Sequence, residues 1–284
     1  MANFLFKAAA LAAAGAGGAY AVNKIKWFKD YCKLVPYTIK SVKGTELEGK
    51  KDLRLTAHRG FRAAAPENSL PAFEEAGKAG YWGCECDTYR TRDGVWVIQH
   101  DPVTARTMDK PLVVELSTLD QLYSATMNFG HNIDKYPYLR ICTLEEYIKV
   151  CAKYNMNAVI ELKYNRNRKY YGEIIAMLKK YNVDASFISF YFEDIEEIRK
   201  LTDDYLVFLL VDEIKDEDIV KAKTLNNSGI SFDCNDANNR NGRMVKKVLD
   251  AGLHTASWSA RDLDTVKLMY DLGVEYITTD CITY

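Results

Sequence analysis

The sequence contains no Cys-x-x-Cys pair, no basic stripe interleaved with aromatics, and no internal repeat or low-complexity tract after residue 22. Its seven cysteines (Cys32, Cys84, Cys86, Cys142, Cys151, Cys234 and Cys281) are odd in number and scattered, which argues against a disulfide framework and against a zinc site. They read as small buried hydrophobes in a reducing compartment. A net charge of −1 and the missing basic stripe take away the electrostatic footprint of a nucleic-acid binder, so no nucleic-acid partner is expected. Histidine is scarce, with four in 284 residues, so their placement carries information. Apolar residues make up 48% and charged residues 27%, ordinary for a globular chain.

Two of the four histidines, His58 and His100, bracket one stretch, each closing an apolar, strand-like run (residues 53–57 and 95–99). Between them stands Glu85-Cys86-Asp87. Side chains alternate along a strand, so Glu85 and Asp87 share one face while Cys84 and Cys86 share the other. Ionised carboxylates a few ångströms apart repel and are costly to bury, so such a pair implies a bound cation or a shared proton. An oxygen-rich set favours Ca²⁺ or Mg²⁺ over Zn²⁺. Both histidines are then left for proton transfer, which imidazole performs as acid or base near neutral pH.

The ordered set His58-Arg59-Gly60, Pro66-Glu67-Asn68-Ser69, Glu85-x-Asp87, Thr91-x-Asp93-Gly94 and His100-Asp101 resembles the signature of the glycerophosphodiester phosphodiesterase family. The resemblance continues through Glu161-Leu162-Lys163, Trp258 and Thr279-Asp280, covering residues 53–284. Ser69 stands where the family often has threonine, and Cys142 where proline is usual. What the resemblance implies is a catalytic pair in His58 and His100, metal ligands in Glu85, Asp87 and Glu161, phosphate contacts in Arg59 and Lys163, and a pocket aromatic in Trp258. Glu67 and Asn68 match a motif that braces its loop. One divalent cation, Ca²⁺ or Mg²⁺, and a small glycerophosphodiester substrate follow as expectations. The expected activity is hydrolysis to an alcohol and glycerol 3-phosphate. A lysophospholipase D or sphingomyelinase D-like activity on lipids is the alternative, and a silent barrel that binds phosphate-bearing ligands is a third reading.

From residue 53 onward, β-rich runs alternate with helical patterns, the sign of a parallel sheet wound by crossovers. A (β/α)8 TIM barrel is therefore expected, irregular around its second and third strands, because nine candidate runs compete for eight places. One of the two runs within 83–100 should be irregular or paired outside the closed barrel. Ser69 or Asn68 should cap a helix with Pro71 in its first turn, and Thr143-x-x-Glu146 is a capping box. Residues 102–142 have weak periodicity and read as an excursion over the site. His131 reads as a loop histidine, and His254 as a rim histidine at the barrel's opposite end. His58, Asp87, His100, Glu161, Lys163, Trp258 and Asp280 all fall at expected strand ends, where barrel chemistry gathers. A phosphodiester is anionic, so Arg59 and Lys163 suit its oxygens, while the two histidines serve nucleophile and leaving group.

Residues 1–22 form an apolar leader rich in alanine and glycine, and residues 23–52 a lysine-rich linker before the 53–284 domain. The run 8–22 is shorter than the ~20 residues that span a bilayer. Lys24, Lys26, Lys29 and Lys33 follow it while only Lys7 precedes it, which would leave the domain on the cytoplasmic side. The expectation is membrane association through residues 1–33. Secretion, suggested by the small-x-small Ala19-Tyr20-Ala21, and a plain leader are the alternatives.

Overall fold

Eight runs pair side by side in parallel: β1 (Arg54–Ala57), β2 (Gly83–Arg90), β3 (Asn157–Leu162), β4 (Ala185–Ser189), β5 (Leu206–Val211), β6 (Ser228–Asp233), β7 (His254–Ala260) and β8 (Tyr276–Thr279). Each pairs with the next, and β8 pairs with β1, so the sheet closes into a barrel. These relations come from a computed structural model that describes residues 34–163 and 167–284. The architecture is the (β/α)8 barrel expected from the alternation of elements.

Closure follows from the side chains. Alternate residues point inward, and Val159, Ile188, Phe208, Leu210 and Ala256 fill the barrel's interior. The opposite faces, including Cys84, Cys86, Ile160, Phe187 and Phe232, pack under the helices in a second, larger core. The six described cysteines are all buried and unbridged. The first helix, α1 (Leu70–Lys78), is capped by Ser69, whose side chain accepts from the Ala72 N–H at 3.4 Å, with Pro71 in the first turn. The helix before β3, α2 (Leu144–Tyr154), opens on the capping box that pairs Thr143 with Glu146.

The surplus ninth run is Trp96–Ile98. It pairs antiparallel with the far end of β2, Thr88–Arg90, and with Cys142–Thr143, outside the closed ring. The turn at Thr91–Gly94 makes this possible, and it leaves His100 just beyond a ribbon rather than at the end of a barrel strand. The excursion that follows builds its own small core from Met108, Val114, Leu122, Ala125, Met127 and Ile141 against Tyr89 and Val97. Before β1, Lys40–Ser41 pairs in parallel with Ile282–Thr283, and Val42 and Leu47 enter the main core.

Membrane association and a cytoplasmic or secreted placement were expected from the leader, and that expectation is corrected. Among the described residues no helix is long and apolar enough to cross a membrane. The segment that carried the expectation, residues 1–33, lies outside the described residues.

Candidate active site

The site is assembled at the C-terminal mouth of β1, β2 and β3. In the parallel register, Asp87 of β2 lies directly beside Glu161 of β3, and Glu85 sits two residues back on the same inward face. Glu85, Asp87 and Glu161 each present an oxygen within 4.8 Å of the others, and all three are buried. Oxygens on opposite sides of a Mg²⁺ or Ca²⁺ ion stand about 4 to 5 Å apart, so the spacing fits a hard cation.

The loop after β1 supplies donors to the same carboxylates. Arg59 adopts φ 56°, left-handed and unfavourable for a residue with a side chain. That turn aims its N–H at Glu85 Oε2, 2.7 Å away. Gly60 follows at φ 75°, where an added Cβ would meet Ala72 Cβ at 2.7 Å, so only glycine lets α1 approach. The Arg59 guanidinium reaches Glu67 Oε1 at 2.9 Å and Asp87 Oδ2 at 3.4 Å. Asn68, also left-handed at φ 54°, donates Nδ2–H to Asp87 Oδ2 at 2.7 Å. Lys163 Nζ lies 2.8 Å from Asp87 Oδ1 and 2.6 Å from Glu161 Oε1.

Electrostatics divides the three acids. Burial alone would raise Asp87, but Lys163, His100 and Arg59 together outweigh it and hold the carboxyl well below its ordinary range. Glu85 is pushed well above its ordinary range by burial, and then by Asp87 and Glu161 beside it. Glu161 is raised to about 7 by burial, with Lys163 opposing and Asp87 adding. Among the described residues, Glu85 Oε1 is buried without a hydrogen-bond partner. An ionised oxygen in that position is costly unless a cation sits against it. The three carboxylates therefore suit a divalent ion, and the donors around them leave Glu85 Oε1 aimed at one.

Each histidine at the site has its own carboxylate. His58 Nδ1 is 2.6 Å from Asp280 Oδ1, and His100 Nδ1 is 2.9 Å from Asp101 Oδ1. Both imidazoles titrate below their ordinary value. Burial lowers His58, with Asp280 partly opposing. Burial, then Arg59 and Lys163, lowers His100 to about 4. Both rings are consequently neutral near pH 7, with Nδ1–H fixed toward a carboxylate and Nε2 left as the acceptor.

The ordered motif, the closed barrel and the acid cluster agree with a match to the model of the glycerophosphoryl diester phosphodiesterase family over residues 58–283. The chain belongs to that family. Among characterised relatives, glycerophosphodiester phosphodiesterase 1 of Mus musculus is 35% identical over 108 residues, which is 38% of this chain and 33% of the mouse protein. The glycerophosphodiester phosphodiesterase of Caldanaerobacter subterraneus is 30% identical over 161 residues, 54% of this chain and 65% of that protein. The matched part thus spans about a third of the mouse protein's length. Among solved structures, an Oleispira antarctica phosphodiesterase in complex with the product sn-glycerol-3-phosphate superposes with TM-score 0.72 at 23% identity, covering 80% of this chain and 92% of that one. A glycerophosphodiester phosphodiesterase from Parabacteroides distasonis gives 0.67 at 26% identity, covering 80% and 92%.

Trp258 sits on β7, across the ring from β3, where its indole meets Phe190 edge-on with centroids 5.8 Å apart. Phe190 directly follows β4 and is exposed, so it and Trp258 form an apolar flank opposite the charged one. His131 is a loop residue whose Nε2 lies 2.8 Å from the Val35 carbonyl and whose ring packs on Tyr37. His254 begins β7 at the far end of the barrel and pairs with Glu275 at 3.1 Å. Sequence reasoning gave no role to Asp280 or Asp101 as partners of the histidines, or to Arg62 and Arg106 behind them. Asp101 could have been found from its place next to His100. Asp280 was expected at a strand end, but nothing in the sequence pairs it with a histidine 222 positions away.

Proposed function

We propose that this protein hydrolyses glycerophosphodiesters to an alcohol and glycerol 3-phosphate, using one divalent cation, Ca²⁺ or Mg²⁺, and a His58/His100 pair. The observation that carries the reading is the meeting of Glu85, Asp87 and Glu161 within 4.8 Å of one another beside the Lys163 ammonium. Membership of the family and its relatives' names support the substrate class.

Glu85, Asp87 and Glu161 would hold the cation, which when bound supplies charge neutralisation at a non-bridging phosphate oxygen and acidifies an attacking hydroxyl. The remaining work falls to the chain's own groups. Lys163 and Arg59 hold positive charge at the phosphate, Lys163 as a point charge and Arg59 as a fork. Lys163 is pinned between Asp87 and Glu161, and pairing with them raises its ammonium above its ordinary range despite burial, so it stays charged. Neutral imidazole with Nε2 free is ready to accept the nucleophile's proton. The other imidazole acts as the acid, protonating the departing alkoxide. It takes up that proton as the anionic diester enters and adds to the carboxylate already behind the ring. Phe190 and Trp258 suit the apolar side of the substrate.

The test is a direct assay of the purified protein on glycerophosphocholine and glycerophosphoethanolamine, with glycerol 3-phosphate measured as product. Hydrolysis that stops with chelator and returns with Mg²⁺ or Ca²⁺ supports the proposal. Turnover unaffected by chelator overturns it. The exposed Phe190 ring favours a second reading, hydrolysis of lysophospholipids, and a dominant rate on lysolipid substrates would put that reading first.

A further inference from the structure

His58 and His100 are carried by different parts of the fold. His58 follows barrel strand β1, whereas His100 lies beyond the antiparallel ribbon Trp96–Ile98, at the start of the excursion. A ribbon attached along one edge can rock relative to the barrel. A pair of proton-transfer groups must nonetheless keep one separation across the substrate, and a misplacement of about 1 Å costs on the order of 10²-fold in rate.

A chain of charges, buried except at the partly buried Arg62 and the two imidazoles, ties the two parts together. From His58, Asp280 Oδ1 at 2.6 Å leads to Arg62 Nη1 at 3.6 Å, and Arg62 Nη2 donates to Glu67 Oε2 at 2.6 Å. From His100, Asp101 Oδ1 at 2.9 Å leads through Asp101 Oδ2 to Arg106 Nε at 2.6 Å, and Arg106 Nη2 donates to Glu67 Oε1 at 2.6 Å. Arg59 Nη1 donates to the same Oε1 at 2.9 Å. Glu67 is where the two arms meet. It is 4% exposed, while Asp280, Asp101 and Arg106 are buried as well. Burial disfavours its charge, but Arg106, Arg59 and Arg62 outweigh burial and keep the carboxylate ionised.

Buried ion-pair chains are a weak source of net stability, because desolvation offsets the attraction, yet they can select one geometry over others. This one alternates in sign from Asp280 to Asp101 and spans the seam between barrel and excursion. We infer that Glu67 is a positioning residue that fixes the separation of the two histidines by clamping their supports through Arg62 on one side and Arg106 on the other. The inference rests on the His58/His100 reading above. It gives Glu67 a task beyond bracing its own loop: a change at one arm reaches the far imidazole.

The experiment is Glu67→Gln in the full chain, with kcat, KM and the imidazole ¹⁵N resonances of His58 and His100 read on the same samples. The amide keeps the volume but presents an N–H to one arginine, which breaks one arm. The expected result is a loss in kcat of about 10²-fold with KM little changed, and displaced resonances for both histidines. Arg106→Lys, which never touches His58, should displace the His58 signal too, and Glu67→Asp should recover part of kcat. Wild-type kcat in Glu67→Gln, or movement of only one histidine's resonance, overturns the inference. Should Glu67→Gln fail to fold, Arg62→Lys and Arg106→Lys carry the test, since each cuts one arm, and full kcat in both overturns it. Wild-type rates in His58→Ala and His100→Ala would instead remove the catalytic reading on which the clamp depends.

Discussion

Replacing Glu161 with glutamine should stabilise the cation-free protein while ending its response to metal. Burial drives this carboxyl from 4.5 to about 7, with Lys163 opposing and Asp87 adding. That rise is worth about 3 kcal/mol in favour of the uncharged form. The sign follows from comparing the two states. In the unfolded chain the group titrates near its ordinary value, so between the two pKa values the folded chain holds a proton that the unfolded chain has lost. Cation-free stability therefore falls as pH rises from about 4.5 to about 7, and the penalty is complete above that window. Glutamine cannot ionise and escapes the penalty, and its carbonyl oxygen can still accept from Lys163. With chelator at about pH 8 the variant should gain up to about 3 kcal/mol, or roughly 6 to 12 °C in Tm for a chain of this size. The gain should vanish near pH 4.5. Saturating Mg²⁺ or Ca²⁺ should reverse the order, because a ligand at 1,000 times its Kd adds about 4.1 kcal/mol to the wild type alone. Thermal unfolding followed by circular dichroism at two pH values, with and without cation, reads all four corners. A variant that melts below wild type at pH 8 in chelator, or a cation that stabilises both proteins equally, would refute the reasoning.

Three further outcomes are expected. His58→Ala and His100→Ala should each lower kcat by roughly 10²-fold or more while the far-UV spectrum and Tm stay near wild type; steady-state assay with melting curves checks both. At limiting cation, activity should fall as pH drops through about 7, because protonating Glu161 competes with metal, and added cation should recover it. An acid limb insensitive to cation concentration would contradict that competition. Phe190→Ala should weaken the binding of diesters with bulky or apolar leaving groups more than that of small ones, read as a larger rise in KM; equal effects across the series would take Phe190 out of the site.

How much of this was legible beforehand differs by length scale. The face shared by Glu85 and Asp87 follows from the two-residue period of a strand, and it holds because Cys84 and Cys86 pack outward beneath the helices. The excess of one strand candidate was countable from alternation alone. Which run falls out of the ring was not, because the deciding fact is an antiparallel pairing made by the extra length of β2 beyond the barrel. The excursion looked featureless for a similar reason. Its core is gathered from single residues, Met108, Val114, Leu122 and Met127, on pieces as short as the 3-10 helix Val114–Leu116 and the five-residue helix Leu119–Tyr123, too brief for a helical or strand period to register.

The contacts that were hidden share a physical character. Asp280 reaches His58, Arg106 reaches Glu67, and Lys163 reaches Asp87 across long stretches of chain, through charge rather than through periodic apolar burial. Apolar patterning reports which face of an element is inside, but a buried charge can occupy any inward position whose partner arrives from elsewhere. The sequence marks such a position only by an anomaly, a carboxylate or guanidinium where an apolar residue would pack. Glu85, Asp87 and Glu161 are anomalies of this kind on strands, and strand context made them visible. Arg62 and Glu67 lie in turns and Arg106 closes a short 3-10 helix, places where polar residues are ordinary, so their burial left no mark in the apolar pattern. If a positioning network must span the seam between a barrel and its excursion, its members will sit in connecting segments. There three-dimensional proximity, and not sequence pattern, identifies them.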